Sequence, residues 1–483
     1  MRPTLPPRQP FHSRLAAVFA GELVNKATVV AAFVWLARTL DPAVYGEVEW
    51  ALSLTMVFAL ASDAGLTTWG AAQVAAQPDR AAIVVARVGW LRLFLALPAY
   101  LLILIVARSY GGRAGAALAV YGLVLFLAPL FLQYLFNGLF RSGWAALGQA
   151  VRGTTFAAAV VLLVNRNSPP STVALAEVAG ATALAVCNLL VLRTAFDVPV
   201  HIGEGHRELR LTLKKSWTIG ASEVTWGVHW YAGLILLGYL ATTTDAAWHS
   251  AGLRLVMALH TGVWLYLYVL LPNLARLVSI DAQGWKRLME QSLRLTGWIG
   301  YAVALTGTLA ARTILTTVFG APFVAAVPVL RVMIWIVPVA WASGHIRYSL
   351  IAAEHPRKDY HAALVGGATT IALTFLLVPS LRSVGSAVAL LGGTLVNGVA
   401  AVGLASGILP RFALLRSVAA SSACCLACLW LGLALAPVAG ELGSTVLAVA
   451  VLAAVALFAE RDSAREFLHT WAGWRPEAEK WAR

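Results

Sequence analysis

The sequence predicts an all-α polytopic membrane protein with about 14 transmembrane helices. Three observations carry that prediction. Sixty per cent of the residues are hydrophobic and mean hydropathy is +0.77. Only 12% are charged, against about 25% in a soluble domain. Apolar runs of roughly 17–25 residues, the length that crosses a bilayer, recur along the whole chain.

In chain order, the runs follow a basic, proline-rich tail, "MRPTLPPRQPFHSR" (1–14), which lacks the pattern of a cleavable signal peptide. Six runs occupy 15–195, near 15–37, 48–70, 84–107, 116–139, 148–164 and 173–195. A basic linker, 196–216, contains "GEGHRELRLTLKKS" and divides the chain. Six more runs fill 217–409, near 217–240, 251–275, 295–317, 327–350, 360–380 and 384–409. Two last runs, 415–436 and 442–459, form a C-terminal addition within 410–459. In the tail, 460–483, Phe467, Leu468, Trp471 and Trp474 recur at helical spacing among charges, as in an interfacial amphipathic helix or a partly ordered tail. The expected architecture is therefore two six-helix lobes plus two C-terminal helices. A faint internal echo supports it: "LARTLDPAVYGEVEWALSLTMVF" and "LGYLATTTDAAWHSAGLRLVMAL" each read as helix, Asp-bearing turn, helix. The longest loops, 196–216 and 276–294, are each about twenty residues, too short for a soluble catalytic domain.

The net charge of +14 could point to nucleic acid in a soluble protein, but here Lys and Arg occupy short loops between apolar runs. They crowd the tail and alternate loops, as in Arg80, Arg141, Lys214, Lys215, Lys286, Arg287, Arg357 and Lys358. The opposite loops offer only Arg38, Arg108, Arg113, Arg166, Arg312 and Arg382. The positive-inside rule then puts both termini in the cytoplasm, and nucleic acid is not an expected partner.

Most ionisable residues flank the runs, so those within them carry information. The deep set includes Glu22 and Lys26 (first run), Asp63 (second), Glu223 and His229 (seventh), and Arg254 and His260 (eighth), with Arg331 in the tenth. The first and second runs of each half thus hold seven of them, the symmetry expected of a polar cavity shared by two bundles. Structural readings stand beside this one. Glu22 and Lys26 are spaced for an intrahelical pair, with Asn25 between them; Asp63 and Glu223 suit protonated carboxyls bonded between helices. His229 and His260 suit packing, and Arg254 and Arg331 suit an interface. Arg92 and Arg347 fall near run ends, where snorkelling accounts for them. Trp226 and Trp230 share a face with Glu223 by i, i+3 and i+7 spacing, and Trp264 lies in the eighth run. Such a surface suits a sugar ring beside an anionic group, or a packed helix interface.

No phosphate-binding Gly-rich loop, HExxH or Gly-x-Ser-x-Gly occurs, so neither an enzyme nor a cofactor is expected. The cysteines Cys187, Cys424, Cys425 and Cys428 lie in apolar runs; "CCLAC" has no second pair or histidine to complete a metal site. The physical reading is a secondary transporter.

Three stretches resemble bacterial polysaccharide flippases. "LARTLDPAVYGEVEWALSLTMVFALASDAGLTTW" (36–69) looks like their Ala-Arg-x-Leu-x-Pro-x-x-Tyr-Gly opening and Asp-x-Gly-Leu span end. "VFGAPFVAAVPVLRVMIW" (318–335) and the proline-bearing "YLYVLLPNLARL" (266–277) are similar to later segments. The chain thus resembles a Wzx-like flippase of the multidrug/oligosaccharidyl-lipid/polysaccharide (MOP) superfamily. The resemblance implies a MATE/MOP-type fold in the cytoplasmic (inner) membrane. It implies movement of polyprenyl-diphosphate-linked oligosaccharide to the outer leaflet by alternating access, within a lipid bilayer that also supplies its solvent. Cavity lining by the first, second, seventh and eighth helices is implied too, with Lys26, Arg254 and Arg331 as phosphate contacts. Trp226, Trp230 and Trp264 would face the glycan, and Glu22, Asn25, Asp63, Glu223, His229 and His260 would serve as cavity or ion-coupling groups. H+ or Na+ and other polysaccharide-assembly membrane proteins are the further partners implied. The alternatives are a cation-coupled multidrug exporter of the same superfamily, a lipid II flippase, a membrane-embedded glycan polymerase or ligase, and a non-transporting assembly scaffold.

Overall fold

A computed structural model describes residues 11–196, 208–410 and 413–461, with side chains from Asn25 onward except Ser279 and Leu415. Phe467, Leu468, Trp471 and Trp474 lie outside the described residues, and the Glu22 side chain outside the described side chains. The described residues are helical, with no strand. The chain divides into two compact units, Met1–Tyr231 and Ala232–Arg483.

In the first unit α1 (Phe11–Thr39) leads through a short turn into α2 (Pro42–Asp63). Asp41 caps α2, its carboxylate accepting from Ala43 N at 2.9 Å, and Pro42 takes the first helical position, where a missing N–H costs nothing. The second span then breaks: Ala64 (φ 48°) and Gly65 (φ 75°) turn left-handed before α3 (Leu66–Ala76) resumes. α4 (Ala81–Tyr110) returns, and Gly111 (φ 74°) turns the chain into α5 (Gly112–Gly122). The fourth span is irregular. After α5 it passes through tight turns at Leu123–Phe126 and Ala128–Leu130, the second holding Pro129, and regains regularity in α6 (Gln133–Gly138). α7 (Ser142–Leu163) and α8 (Pro170–Ala195) form a hairpin against which α1 packs. α9 (Leu209–Leu240) contains the boundary between the units.

The second unit begins with α10 (Thr243–Ile280), α11 (Ala282–Leu309) and α12 (Ala311–Phe319), the last two bent by 76°. The Glu441 carboxylate accepts from Arg312 N (2.9 Å) and Thr313 N (3.2 Å), supplying partners to the start of α12. α13 (Val327–Met333), α14 (Ile336–Ala352), α15 (Pro356–Ala405) and α16 (Leu414–Ala459) complete it. α15 and α16 are each interrupted by one non-helical residue, Arg382 (φ 49°) and Gly440 (φ 70°). Cys425 and Cys428 sit in an apolar cluster with Trp298, Leu305 and Leu309.

Among the described residues nine helical segments are long and apolar enough to cross a membrane, and the bent α11–α12 pair makes ten. Two of these, of 50 and 44 residues, far exceed a hydrocarbon core of about 30 Å. Dividing them at Arg382 and Gly440, and adding α1 and α9 with 29 and 32 residues, accounts for the fourteen apolar runs. One expectation fails. The loop expected at 276–294 is helical on both sides of a single joint, Asp281, whose carboxylate accepts from Gly284 N at 2.8 Å. The first turns of α11 are amphipathic and bury Trp285 and Met289, so a mean over the window hid a helix.

Candidate functional site

The break in the second span organises a polar cluster in the first unit. Asp63, the last residue of α2, accepts from the Thr67 amide (3.1 Å) and hydroxyl (3.0 Å) in the first turn of α3. Arg92 of α4 joins it, its Nε (2.9 Å) and Nη2 (2.5 Å) donating to Asp63 Oδ1. Nη2 also reaches Thr67 Oγ1 (2.6 Å), while Nη1 donates to the Ala128 and Phe131 carbonyls, both at 3.0 Å. A guanidinium has five N–H donors, and all five are engaged here. The Tyr134 ring covers the cation at 5.3 Å.

The fourth span explains this arrangement. Non-helical backbone at membrane depth must find partners within the protein. The irregular stretch leaves main-chain acceptors with spare capacity: Arg92 takes the Phe131 carbonyl and shares that of Ala128 with the Phe131 amide, while Asn188 Nδ2 donates to the Leu130 carbonyl at 3.0 Å. Snorkelling, expected from the sequence, is thus replaced by a buried ion pair. α4 begins at Ala81, so Arg92 lies about 16 Å into the helix. Arg347 is likewise paired, bidentate to Asp359 at 2.5 and 3.1 Å. Glu177 pairs with Arg152 across the α7–α8 hairpin.

α9 supplies the other carboxylate. Its Gly220 meets the α2–α3 break so closely that a Cβ there would lie 2.5 Å from Ala64 Cα, and one on Gly65 would lie 2.6 Å from the Ser216 carbonyl. This approach sets Glu223, less than a turn further, opposite α3, where Thr68 Oγ1 donates to its Oε1 at 3.1 Å. Asp63 and Glu223 are thereby brought to adjoining parts of one cluster, with Arg92 as the member that sequence reasoning missed. The pairing of Asp63 with a cation two helices away in sequence had no local signal.

The remaining candidates are placed as follows. Asn25 is half-buried where α1 crosses α7, its Cα 3.4 Å from a Cβ built on Gly153, and Lys26 is exposed beside it. Trp226 and Trp230 share a face with ring centroids 6.2 Å apart; the first is 37% exposed and the second 3%. Buried His229 meets Trp230 edge-on at 5.8 Å. These belong to the first unit. In the second, Arg254 and His260 are half-buried on α10, and exposed Trp264 stacks on Tyr268 at 5.6 Å. Arg331 is exposed on α13 and its Nε donates to the Thr308 carbonyl at 3.2 Å.

A buried chain of hydrogen bonds in the second unit also went unread in the sequence. The Nδ1 of His345 bonds the Trp341 carbonyl at 2.7 Å, so it carries the proton and Nε2 accepts from the Ser292 hydroxyl at 2.6 Å. Ser292 Oγ in turn accepts from the Tyr266 hydroxyl.

Comparisons with known proteins agree with this architecture. A sequence profile of the polysaccharide biosynthesis protein family matches residues 16–278. No curated protein matches the sequence. The structure is similar to that of the lipid II flippase MurJ in an inward closed conformation, with TM-score 0.74 and 11% identity, covering 92% of this chain and 99% of that one. It is also similar to an inward-facing multidrug resistance MATE family transporter of the MOP superfamily, with TM-score 0.65 and 14% identity, covering 81% and 96%. A MOP superfamily transporter from Pyrococcus furiosus, described by the reversed polarity of its binding pocket, matches at TM-score 0.55 and 14% identity, covering 81% and 93%. The MATE/MOP-type fold that the sequence led one to expect is the fold observed, and the chain belongs to the polysaccharide biosynthesis protein family.

Proposed function

We propose that this protein is a flippase that carries polyprenyl-diphosphate-linked oligosaccharide from the inner to the outer leaflet of the cytoplasmic membrane, with both termini cytoplasmic. The observation that carries this reading is the family match across residues 16–278, on a fold similar to that of a protein described as a lipid II flippase. Lys26 and Arg254 contact the diphosphate, with Arg331 as a further cation. Trp226, Trp230 and Trp264 offer ring faces to the glycan. Arg92 takes no part in phosphate binding, because every donor of its guanidinium is used within the fold. Asp63 is engaged with Arg92, which leaves Glu223, held by a hydroxyl, as the carboxylate best suited to respond to a cation.

The cycle uses two lobes rocking about a central cavity. Open inward, the cations attract the diphosphate while the polyprenyl tail stays in lipid. An inside-negative potential then favours outward movement of the anion, by about 2.3 kcal/mol per charge per 100 mV. The decisive experiment depletes the protein in its own cells and measures lipid-linked oligosaccharide in each leaflet. Accumulation in the inner leaflet is expected; a normal outer-leaflet rate refutes the reading. Replacing Lys26 or Arg254 with Ala at unchanged abundance removes one charge-assisted contact, worth about 1.5–3 kcal/mol, and so slows flipping roughly 10–150-fold. Undiminished flipping in both variants refutes the phosphate assignment. Dye efflux driven by an ion gradient, with normal glycan export on depletion, would identify a multidrug exporter instead, as the MATE-like fold allows.

A further inference from the structure

The start of α10 holds a group of buried polar atoms that no part of the transport reading uses. Thr242 and Asp245 form a reciprocal cap: the Thr242 side chain accepts from the Asp245 amide (3.1 Å), and Asp245 Oδ2 takes the Thr242 hydroxyl (2.6 Å) and amide (3.3 Å). Arg382 Nη1, on the strained residue that interrupts α15, approaches the same oxygen at 3.6 Å. The other oxygen, Oδ1, is buried without a hydrogen bond, in a residue 1% exposed.

His249 stands one helical turn further along the same face, at i+4. It is fully buried, and apart from the Ser383 main chain beside the ring its nitrogens find no hydrogen-bond partner. Ser386, also fully buried, leaves its hydroxyl without a partner. Gly233 of α9 faces both. A Cβ there would overlap Ser386 Oγ and lie 3.4 and 3.6 Å from His249 Cε1 and Nε2, so the missing side chain keeps this space open. Buried polar groups are almost always satisfied, and a concentration of exceptions in one place calls for a ligand or water that the protein atoms do not supply.

Among the described residues, the charged groups on the elements packed against α10 are engaged elsewhere or lie away from His249. Of the elements packed on α10, α13 brings Arg331, held by the Thr308 carbonyl. α14 brings His345, bonded to Ser292 and Trp341, and Arg347, paired with Asp359 of α15. α11 brings Lys286, Arg287, Glu290, which accepts from Ala413 N, and Arg294, paired with Glu460, all in its first half and so away from the α10 start. α15 adds Arg357, Lys358 and His361 in its first turns and Arg382 at its break; α9 adds Tyr239.

We infer that Asp245, His249 and Ser386 form a proton-binding site, loaded from the side of the membrane on which α10 begins. This rests on the flippase reading, in which that side is the outside, and it names the coupling ion. Before loading, one imidazole nitrogen carries hydrogen and the other accepts, the Ser386 hydroxyl being free to donate. A proton from outside water binds the accepting nitrogen. Imidazolium then donates from both nitrogens, to Asp245 Oδ1 and to Ser386 Oγ, which turns acceptor. Asp245 is the counterion that a buried cation needs. A hard metal ion suits the site less, because it offers a single carboxylate and no cluster of three acidic, His or Cys ligands occurs among the described residues. Release of the proton inward returns the lobes and drives lipid outward.

Two readouts test the inference on the full-length protein in nanodiscs and proteoliposomes. With 15N-labelled histidine, the imidazole signal lost in His249→Gln should titrate and move in Asp245→Asn. A His249 signal that neither titrates nor responds to Asp245→Asn overturns the site whatever the protein transports. In vesicles with polyprenyl-diphosphate-linked chitobiose as probe, the outer-to-inner ratio should shift about tenfold per pH unit of gradient for one proton. His249→Gln should lose that dependence and His355→Gln, altered at an exposed turn, should keep it. A wild-type ratio indifferent to the gradient, or a His249→Gln ratio that follows it, overturns the coupling. Failure of every protein to flip the probe while His249 still titrates sinks the substrate reading and leaves the proton site standing.

Discussion

Arg92→Met removes the guanidinium but keeps a side chain of similar length. It leaves half-buried Asp63 without its cation, strips the Phe131 carbonyl of its donor, and leaves the Ala128 carbonyl with the Phe131 amide alone. Losing one partner of a buried ion pair costs about 3–5 kcal/mol. Tyr134 also loses the cation over its ring. For a unit of this size each kcal/mol shifts the melting midpoint by about 2–4 °C, so a fall of roughly 6–20 °C is expected. Thermal unfolding in detergent, followed by monodisperse protein remaining after heating, measures it. The double variant Arg92→Met/Asp63→Asn should recover part of the loss, because no lone charge remains, but not all, because the Phe131 carbonyl stays unpaired and that of Ala128 lacks its second donor. Residues in direct contact couple by about 0.5–3 kcal/mol. A single variant within about 2 °C of wild type, or a double variant no more stable than the single, refutes the account of Arg92 as partner to both the carboxylate and the broken span.

Gly220→Ala places a Cβ 2.5 Å from Ala64 Cα, which must push α9 off the break; overpacking of this kind costs about 1–3 kcal/mol, read in the same melt. Gly233→Ala fills the space beside Ser386 and His249 and should abolish the His249 titration by excluding water, which the imidazole 15N signal reports; an unaltered titration curve would show that the glycine opens nothing. Glu223→Gln keeps an amide oxygen for Thr68 to donate to and so should leave the melting midpoint within about 2 °C while changing the ion dependence of flipping; equal transport under every ion gradient would assign Glu223 a packing role alone.

Fold and span number were legible because lipid leaves the backbone only helices or closed barrels, and apolar runs of about twenty residues fit the first alone. The repeat echo also had a physical basis: Asp41 caps α2, and Asp245 closes the capping box that Thr242 opens on α10. Legibility ended where a side chain answers a distant main chain. Arg92 looked like a snorkelling residue because its acceptors, at 128 and 131, are created by a helix break that hydropathy averages away. The start of α11 was lost for the opposite reason, charge on one face masking the buried Trp285 and Met289 on the other. His249 drew no notice because a histidine two residues before the eighth run resembles an interface residue until Gly233, Ser386 and Asp245 are seen around it.

The irregular fourth span has a consequence for how the chain enters the bilayer. An arginine at mid-membrane costs about 2.5–3.5 kcal/mol on insertion scales, and unsatisfied carbonyls are costly too. Apolar as α4 and the 112–138 segment are, each therefore carries a cost in lipid that the other relieves. Each supplies what the other lacks, Arg92 giving donors and residues 128 and 131 giving acceptors. During synthesis the third span must wait at the translocon until the fourth has emerged, and the two should leave as a hairpin.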